Sequence, residues 1–203
     1  MQQNSEYPGP SPDDYANVLA LNTAFIKAAF DLKGPQRGRL AAAPFLLFSL
    51  RECEPEWWDT VLIDQHQADF LPVAELEDPE LRRIQTVALS FLWQLARRNP
   101  YAVRIISGAT VSWCEKITDL PLITLLDRIG SRGDLMQSRI DDPDMLCERL
   151  LSDGTSSRQK VRRSSQLTAL QSLLTRARVD NYARLPAAAC SMPKPMRVQD
   201  KKK

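Results

Sequence analysis

One histidine, His66, stands in the whole chain. A serine or cysteine nucleophile needs a base within reach, so any such pair would have to use it. His66 lies in the polar run Asp64-Gln65-His66-Gln67, with Asp69 close by, and no G-x-S-x-G elbow supplies a serine. It reads as a solvent-exposed linker residue. The four cysteines, Cys53, Cys114, Cys147 and Cys190, show no C-x-x-C spacing. Three of them sit in apolar helical contexts, where cysteine behaves as a small buried hydrophobe. A single histidine and scattered thiols do not assemble a zinc set. No P-loop and no G-x-G-x-x-G occurs, and seven glycines leave little for a phosphate cradle. The carboxylates at Glu75, Glu77 and Asp78, and at Asp141, Asp142 and Asp144, fall in a linker and at a helix start, where capping and solvation account for them. No residue is therefore assigned a catalytic, cofactor-binding or metal-ligating role. The chain reads as a protein that is not an enzyme and needs no cofactor.

The strongest functional signal is a concentration of positive charge. Arg158, Lys160, Arg162 and Arg163 lie within six residues at an expected helix start, and Arg176, Arg178, Arg184, Lys194, Arg197 and Lys201 to Lys203 follow. From residue 155 onward there are 12 Lys and Arg against 2 Asp and Glu, a surplus of ten. The whole chain carries only +2, so the first 154 residues have a deficit of eight. Cations at a helix N-terminus oppose the helix dipole, so folding does not ask for them there. Three uses remain open: a solvated face, phosphate neutralisation on DNA or RNA through residues 158–203, and contact with an acidic protein. A protein partner is expected, with nucleic acid as the alternative. Nothing in the sequence sets the oligomeric state.

Aromatic residues fall mostly on apolar helix faces, where core packing accounts for Phe45, Phe48, Phe91, Trp93 and Trp113. Trp57 and Trp58 are adjacent and cannot both face one core from a helix. One of them is expected at a seam or at a partner surface, so both join the basic cluster as candidate contact residues.

Hydrophobic residues make up 43% of the 203 and charged residues 26%, enough for a real core. Scarce glycine argues against sandwiches, barrels and nucleotide-binding folds. The longest apolar runs fall short of the roughly 18 residues of a membrane span, and the polar N-terminus does not look like a secretory signal. A cytoplasmic location is expected.

The expected class is all-α. Asp13 or Asp14 caps a helix to about Leu32, and Leu40 to Glu52 reads as a second helix. Pro55 opens a third. Asp78-Pro79 and Asn99-Pro100 are start signals, since an Asp or Asn cap followed by Pro wastes no hydrogen bond. Gly108 breaks the chain before a short helix, Thr110 to Thr118. Asp119-Leu120-Pro121 starts the next, Asp142-Pro143 another, and Ser156 or Ser157 caps the last, to about Arg178. Mild alternation around Leu135 to Ile140 is too short to read as a strand.

Two stretches run in parallel. Ala20 to Phe25 matches Ala88 to Trp93 in residue type, and Leu40 to Leu50 matches Ile117 to Asp127. This predicts two similar helical units that bury their apolar faces on each other through Phe45, Phe48, Leu89, Trp93 and Leu125. The expected layout is a disordered head (1–12), a first unit (13–63), a linker (64–78), a second unit ending in the basic helix (79–178) and a disordered basic tail (179–203).

Within the second unit, Leu89-Ser90-Phe91-Leu92 opens a long helix, Gly108 precedes a short one, Leu120-Pro121 leads the next, and Arg139-Ile140-Asp141-Asp142 closes the pattern. Residues 88–142 resemble the D subunit of the bacterial flagellar master transcription regulator. The resemblance covers about a quarter of the chain. Leu122 stands where that family usually has Gln, and the family protein is shorter. What the resemblance implies is a helical, non-enzymatic regulatory or adaptor protein in transcription, with DNA nearby.

Overall fold

Three of the helices begin with a polar cap followed by proline, and those caps close as the chemistry demands. The structure, a computed structural model, describes residues 9–62, 78–130, 135–140 and 145–182. Most of the expected head, linker and tail, together with His66 and Cys190, lies outside the described residues.

Helix α1 spans Pro12–Ala29. Its cap is Ser11, earlier than the expected Asp13 or Asp14, and Asp14 instead completes a capping box. The Asp14 carboxylate accepts from the Ser11 backbone N–H and hydroxyl, both at 2.8 Å, and from Arg98 at 2.5 Å. Burial raises the Asp14 carboxyl, but the Ser11 hydrogen bonds and the Arg98 guanidinium outweigh it and hold the group below its ordinary 3.8. A depressed carboxyl stabilises the fold above its unfolded value and loses that contribution as pH falls through the folded value. Urea midpoints should therefore drop on acidification below about pH 4, and Asp14→Asn should flatten that part of the profile. An unchanged acid slope in the variant would remove Asp14 from the account.

Helix α2, Gly34–Ala41, ends where the second helix was expected to begin. The run from Leu40 to Glu52 is not a helix. It leaves α2, forms a loop and enters the short strand β1, Phe48–Ser49. Pro44 lacks a donor for a helix ladder. The surrounding backbone is claimed from outside: the buried Asn22 amide donates to Ala41 O at 3.3 Å and Phe45 O at 2.9 Å, and its oxygen accepts from Leu47 N at 2.9 Å. Leu46 N donates to Ile106 O at 2.9 Å. Phe45, Leu46, Leu47 and Phe48 are all buried, so the run shows no period by which helix and buried strand could be told apart.

Helix α3 is Pro55–Leu62, α4 is Pro79–Arg98 and α5 is Pro100–Ser107. Asp78 caps α4 by accepting from Glu80 N, and Asn99 caps α5 by accepting from Ala102 N. Gly108 closes α5 with φ +74°, the left-handed conformation glycine adopts without cost. Helices α6, Val111–Thr118, and α7, Leu122–Gly130, follow. The two-residue strand β2, Gln137–Ser138, pairs antiparallel with β1, Phe48 opposite Ser138. Helix α8 is Met145–Gly154, and α9 is Gln159–Tyr182, running four residues past the expected end.

The protein is all-α, with nine helices and this one pair of short strands among the described residues. No described helix is long and apolar enough to cross a membrane. Residues from both expected units enter one hydrophobic cluster, including Phe45, Phe48, Leu89 and Leu125. Trp93 is half-buried at its edge; its indole N–H donates to Leu120 O, and the Arg97 guanidinium lies 4.8 Å from the ring centre. The parallel stretches differ in conformation. Leu40 to Leu50 is a helix end, a loop and β1, whereas Ile117 to Asp127 is the end of α6, a turn and most of α7.

Candidate interaction surface on the C-terminal helix

Helix α9 lies along α8 and reaches across the end of α5. Ala169, Leu170 and Leu173 form its inner face, packed on the core. Leu173 sits so close to Gly108 that a Cβ added there would lie 2.8 Å from its Cδ1. The glycine that stops α5 thus also makes room for α9. At the other end, Arg39 of α2 donates to Thr155 O at 3.2 Å and ties down the turn between α8 and α9.

That turn carries the basic cluster, and its four cations are not equivalent. Arg162 is half-buried and folds back to donate to Ser156 O at 2.8 Å and Ser157 O at 3.0 Å. It serves the turn. Arg158, Lys160 and Arg163 are exposed. No acidic residue occurs on α9 from Gln159 to Thr175, so no neighbour three or four residues along the helix neutralises them. Leu167, 58% exposed, follows Arg163 on the outer side of the helix. Beside this face a groove of about 380 Å³ runs between α8 and α9.

The two tryptophans separate. Trp58 is fully buried: its indole N–H donates to Leu50 O and Arg51 O, and its ring meets Trp113 edge-on at 5.3 Å. The expectation that it could touch a partner is corrected, because its whole surface is spent in the core. Trp57 stays half-buried, with the Arg51 guanidinium 5.8 Å from its ring centre. It lies on α3, and no described contact joins it to the basic cluster on α9.

No family model matches the chain, and neither the curated proteins nor the solved structures give a match.

The other polar constellation is buried, and sequence reasoning missed it. Arg139, just after β2, donates through Nη2 to Glu52 Oε1 and Ser107 O, both at 2.5 Å, and through Nη1 to Leu46 O at 2.9 Å. The second Glu52 oxygen accepts from Leu50 N at 2.6 Å. Burial pushes the Glu52 carboxyl up, opposed by the Arg139 charge. This pair binds the loop after α2, the end of α5 and β2 into one knot. It acts as a joint.

Cys114 is buried, and burial pushes its thiol up to about 12, far from the thiolate a nucleophile needs. Cys53 is exposed. Among the described residues no group of three His, Cys, Asp or Glu side chains converges as metal ligands would.

Proposed function

We propose that this protein is a non-enzymatic regulatory or adaptor protein that acts through protein–protein contacts in the cytoplasm. The resemblance of residues 88–142 to the flagellar regulator's D subunit points to transcription regulation as the setting. The observation that carries the reading is the two-sided character of α9. One side is fixed to the core by Leu170 and Leu173, while Lys160, Arg163 and Leu167 are exposed along the helix and Arg158 is exposed in the turn just before it. An exposed apolar side chain on a helix whose exposed cations have no ion pair among the described residues complements an acidic protein surface that has an apolar contact of its own. The same cations favour a second reading, in which they neutralise phosphates of DNA or RNA together with the basic segment that follows.

The test replaces Arg158, Lys160 and Arg163 with serine and leaves Arg162 in place, since Arg162 holds the turn. Exposed cations contribute little to folding, so the melting temperature should stay put while partner capture falls about tenfold or more. Capture should survive nuclease treatment. If the wild-type protein instead binds DNA or RNA with affinity that falls steeply with salt and shows little sequence preference, the second reading replaces the first.

A further inference from the structure

Among the described residues, the two most exposed large apolar side chains are Ile123 of α7, at 72%, and Leu167 of α9, at 58%. Each sits one helical turn from an exposed charge, and the two charges are opposite. Asp127 follows Ile123 by four residues, and Arg163 precedes Leu167 by four. Residues four apart share a helix face, so each helix carries an apolar and a charged side chain together. Neither Asp127 nor Arg163 is in an ion pair among the described residues.

The surroundings extend the contrast. Glu115 and Asp119, on α6 and at its end, are exposed, and the cations near them are engaged: Lys116 pairs with Asp59 of α3, and the half-buried Arg128 donates to Leu62 O. Around Leu167 the exposed charges are those of Lys160 and Arg163, with no acid from Gln159 to Thr175.

The two faces also match in spacing and in order. Four residues rise about 6 Å in either helix. On α9 the cation comes first and the apolar residue second, whereas on α7 the apolar residue comes first and the acid second. With the helices antiparallel, Leu167 meets Ile123 while Arg163 meets Asp127. Lys160, three residues before Arg163, then reaches the C-terminal end of α7 at Gly130, where free carbonyls favour a cation. A parallel pairing would set each charge against an apolar side chain. Both faces are exposed within one chain, so a second copy is needed to bring them together.

We infer that this protein self-associates head to tail, the α9 face of one copy docking antiparallel on the α7 face of the next. The inference rests on the adaptor reading of α9 and makes a second copy of this chain the acidic surface it binds. Each pairing leaves one α9 face and one α7 face free, so association continues into a chain or closes into a ring. The faces are short, which places the contact in the weak, transient class.

The test is sedimentation of the full-length protein over a range of concentrations, with charge reversals on each face. The average mass of the wild-type protein should rise above that of one chain with concentration and fall back as salt rises. Arg163→Asp and Asp127→Arg should each weaken association about tenfold or more. The melting temperature should not move, since both positions are exposed. An equimolar mixture of the two single variants should form a 1:1 pair and go no further, because each keeps one intact face. The double variant, with the two charges exchanged in one chain, should associate again.

Wild-type protein that stays monomeric up to about 1 mM would overturn the inference. So would an assembly that tolerates both reversals, single variants that do not pair when mixed, or a double variant that stays apart. If self-association fails in one of these ways while the Arg158, Lys160 and Arg163 replacements still abolish nuclease-resistant capture of a different protein, the adaptor reading stands without it. If copies associate only when DNA or RNA is present, both fall.

Discussion

Replacing Arg139 with leucine is expected to destabilise the protein by about 3–5 kcal/mol, the cost of leaving one charge of a buried pair uncompensated. The variant strands the Glu52 carboxylate, which is fully buried, and removes the donors that serve Ser107 O and Leu46 O. Glu52→Leu should cost less than Arg139→Leu, since the guanidinium keeps its bonds to Ser107 O and Leu46 O and some contact with solvent. The double variant, Glu52→Leu with Arg139→Leu, should recover a large part of either loss, because a buried pair is worth far less than the penalty for breaking it. Urea denaturation of all four proteins gives the coupling energy directly. The pH dependence has a definite sign. Without Arg139, burial is opposed only by the backbone hydrogen bonds from Leu50 and Glu52 itself, and the folded Glu52 carboxyl rises further above the ordinary 4.5. A raised carboxyl leaves stability intact below the unfolded value and costs stability as pH rises through the folded one. The single variant's deficit should thus be widest at neutral pH and shrink toward pH 4.5. Strictly additive losses would show that the two side chains do not form a joint.

Phe48→Ala should cost about 3–5 kcal/mol, as for large aromatic residues removed from a core. Phe48 has no exposed surface and lies 5.0 Å, centre to centre, from the Phe25 ring of α1. It also belongs to β1, whose pairing with β2 fixes the register of the loop after α2. The truncation opens a cavity where α1, that loop and the strand pair meet, and rigid secondary structure on each side limits its collapse. Phe48→Leu should recover much of the loss by refilling volume. Chemical denaturation at neutral pH checks both. A cost for Phe48→Ala near that of an exposed substitution, under ~0.5 kcal/mol, would contradict the packing described.

Several helix starts were legible because their signals are local. Asp78-Pro79, Asn99-Pro100 and Thr110 act through bonds within three residues of the cap, so the sequence carries the whole interaction. Gly108 was legible as a stop for the same reason, though not as the gap that receives Leu173. The loop after α2 was not legible. Its conformation is set by Asn22, far back on α1, and by Ile106, far ahead on α5. A continuous apolar run looks alike as helix or as buried strand. Asn22 on an otherwise apolar helix face was the available clue, since a polar group buried there must find partners. Glu52 and Arg139 are 87 residues apart, and neither position marks the other in the sequence.

The basic cluster was legible as charge but not as geometry. Only the fold separates Arg162, which holds a turn, from Arg158, Lys160 and Arg163, which face outward. Likewise, Trp57 and Trp58 had to be placed before one could be assigned to the core.

The most direct test of the adaptor reading puts a photo-crosslinking amino acid at position 167, on the exposed outer side of α9, in the full-length chain in cells. The account predicts one discrete protein adduct that survives nuclease treatment and disappears when Arg158, Lys160 and Arg163 are replaced with serine. An adduct that nuclease destroys, or no adduct beyond that of a crosslinker placed on an unrelated exposed face, would contradict it.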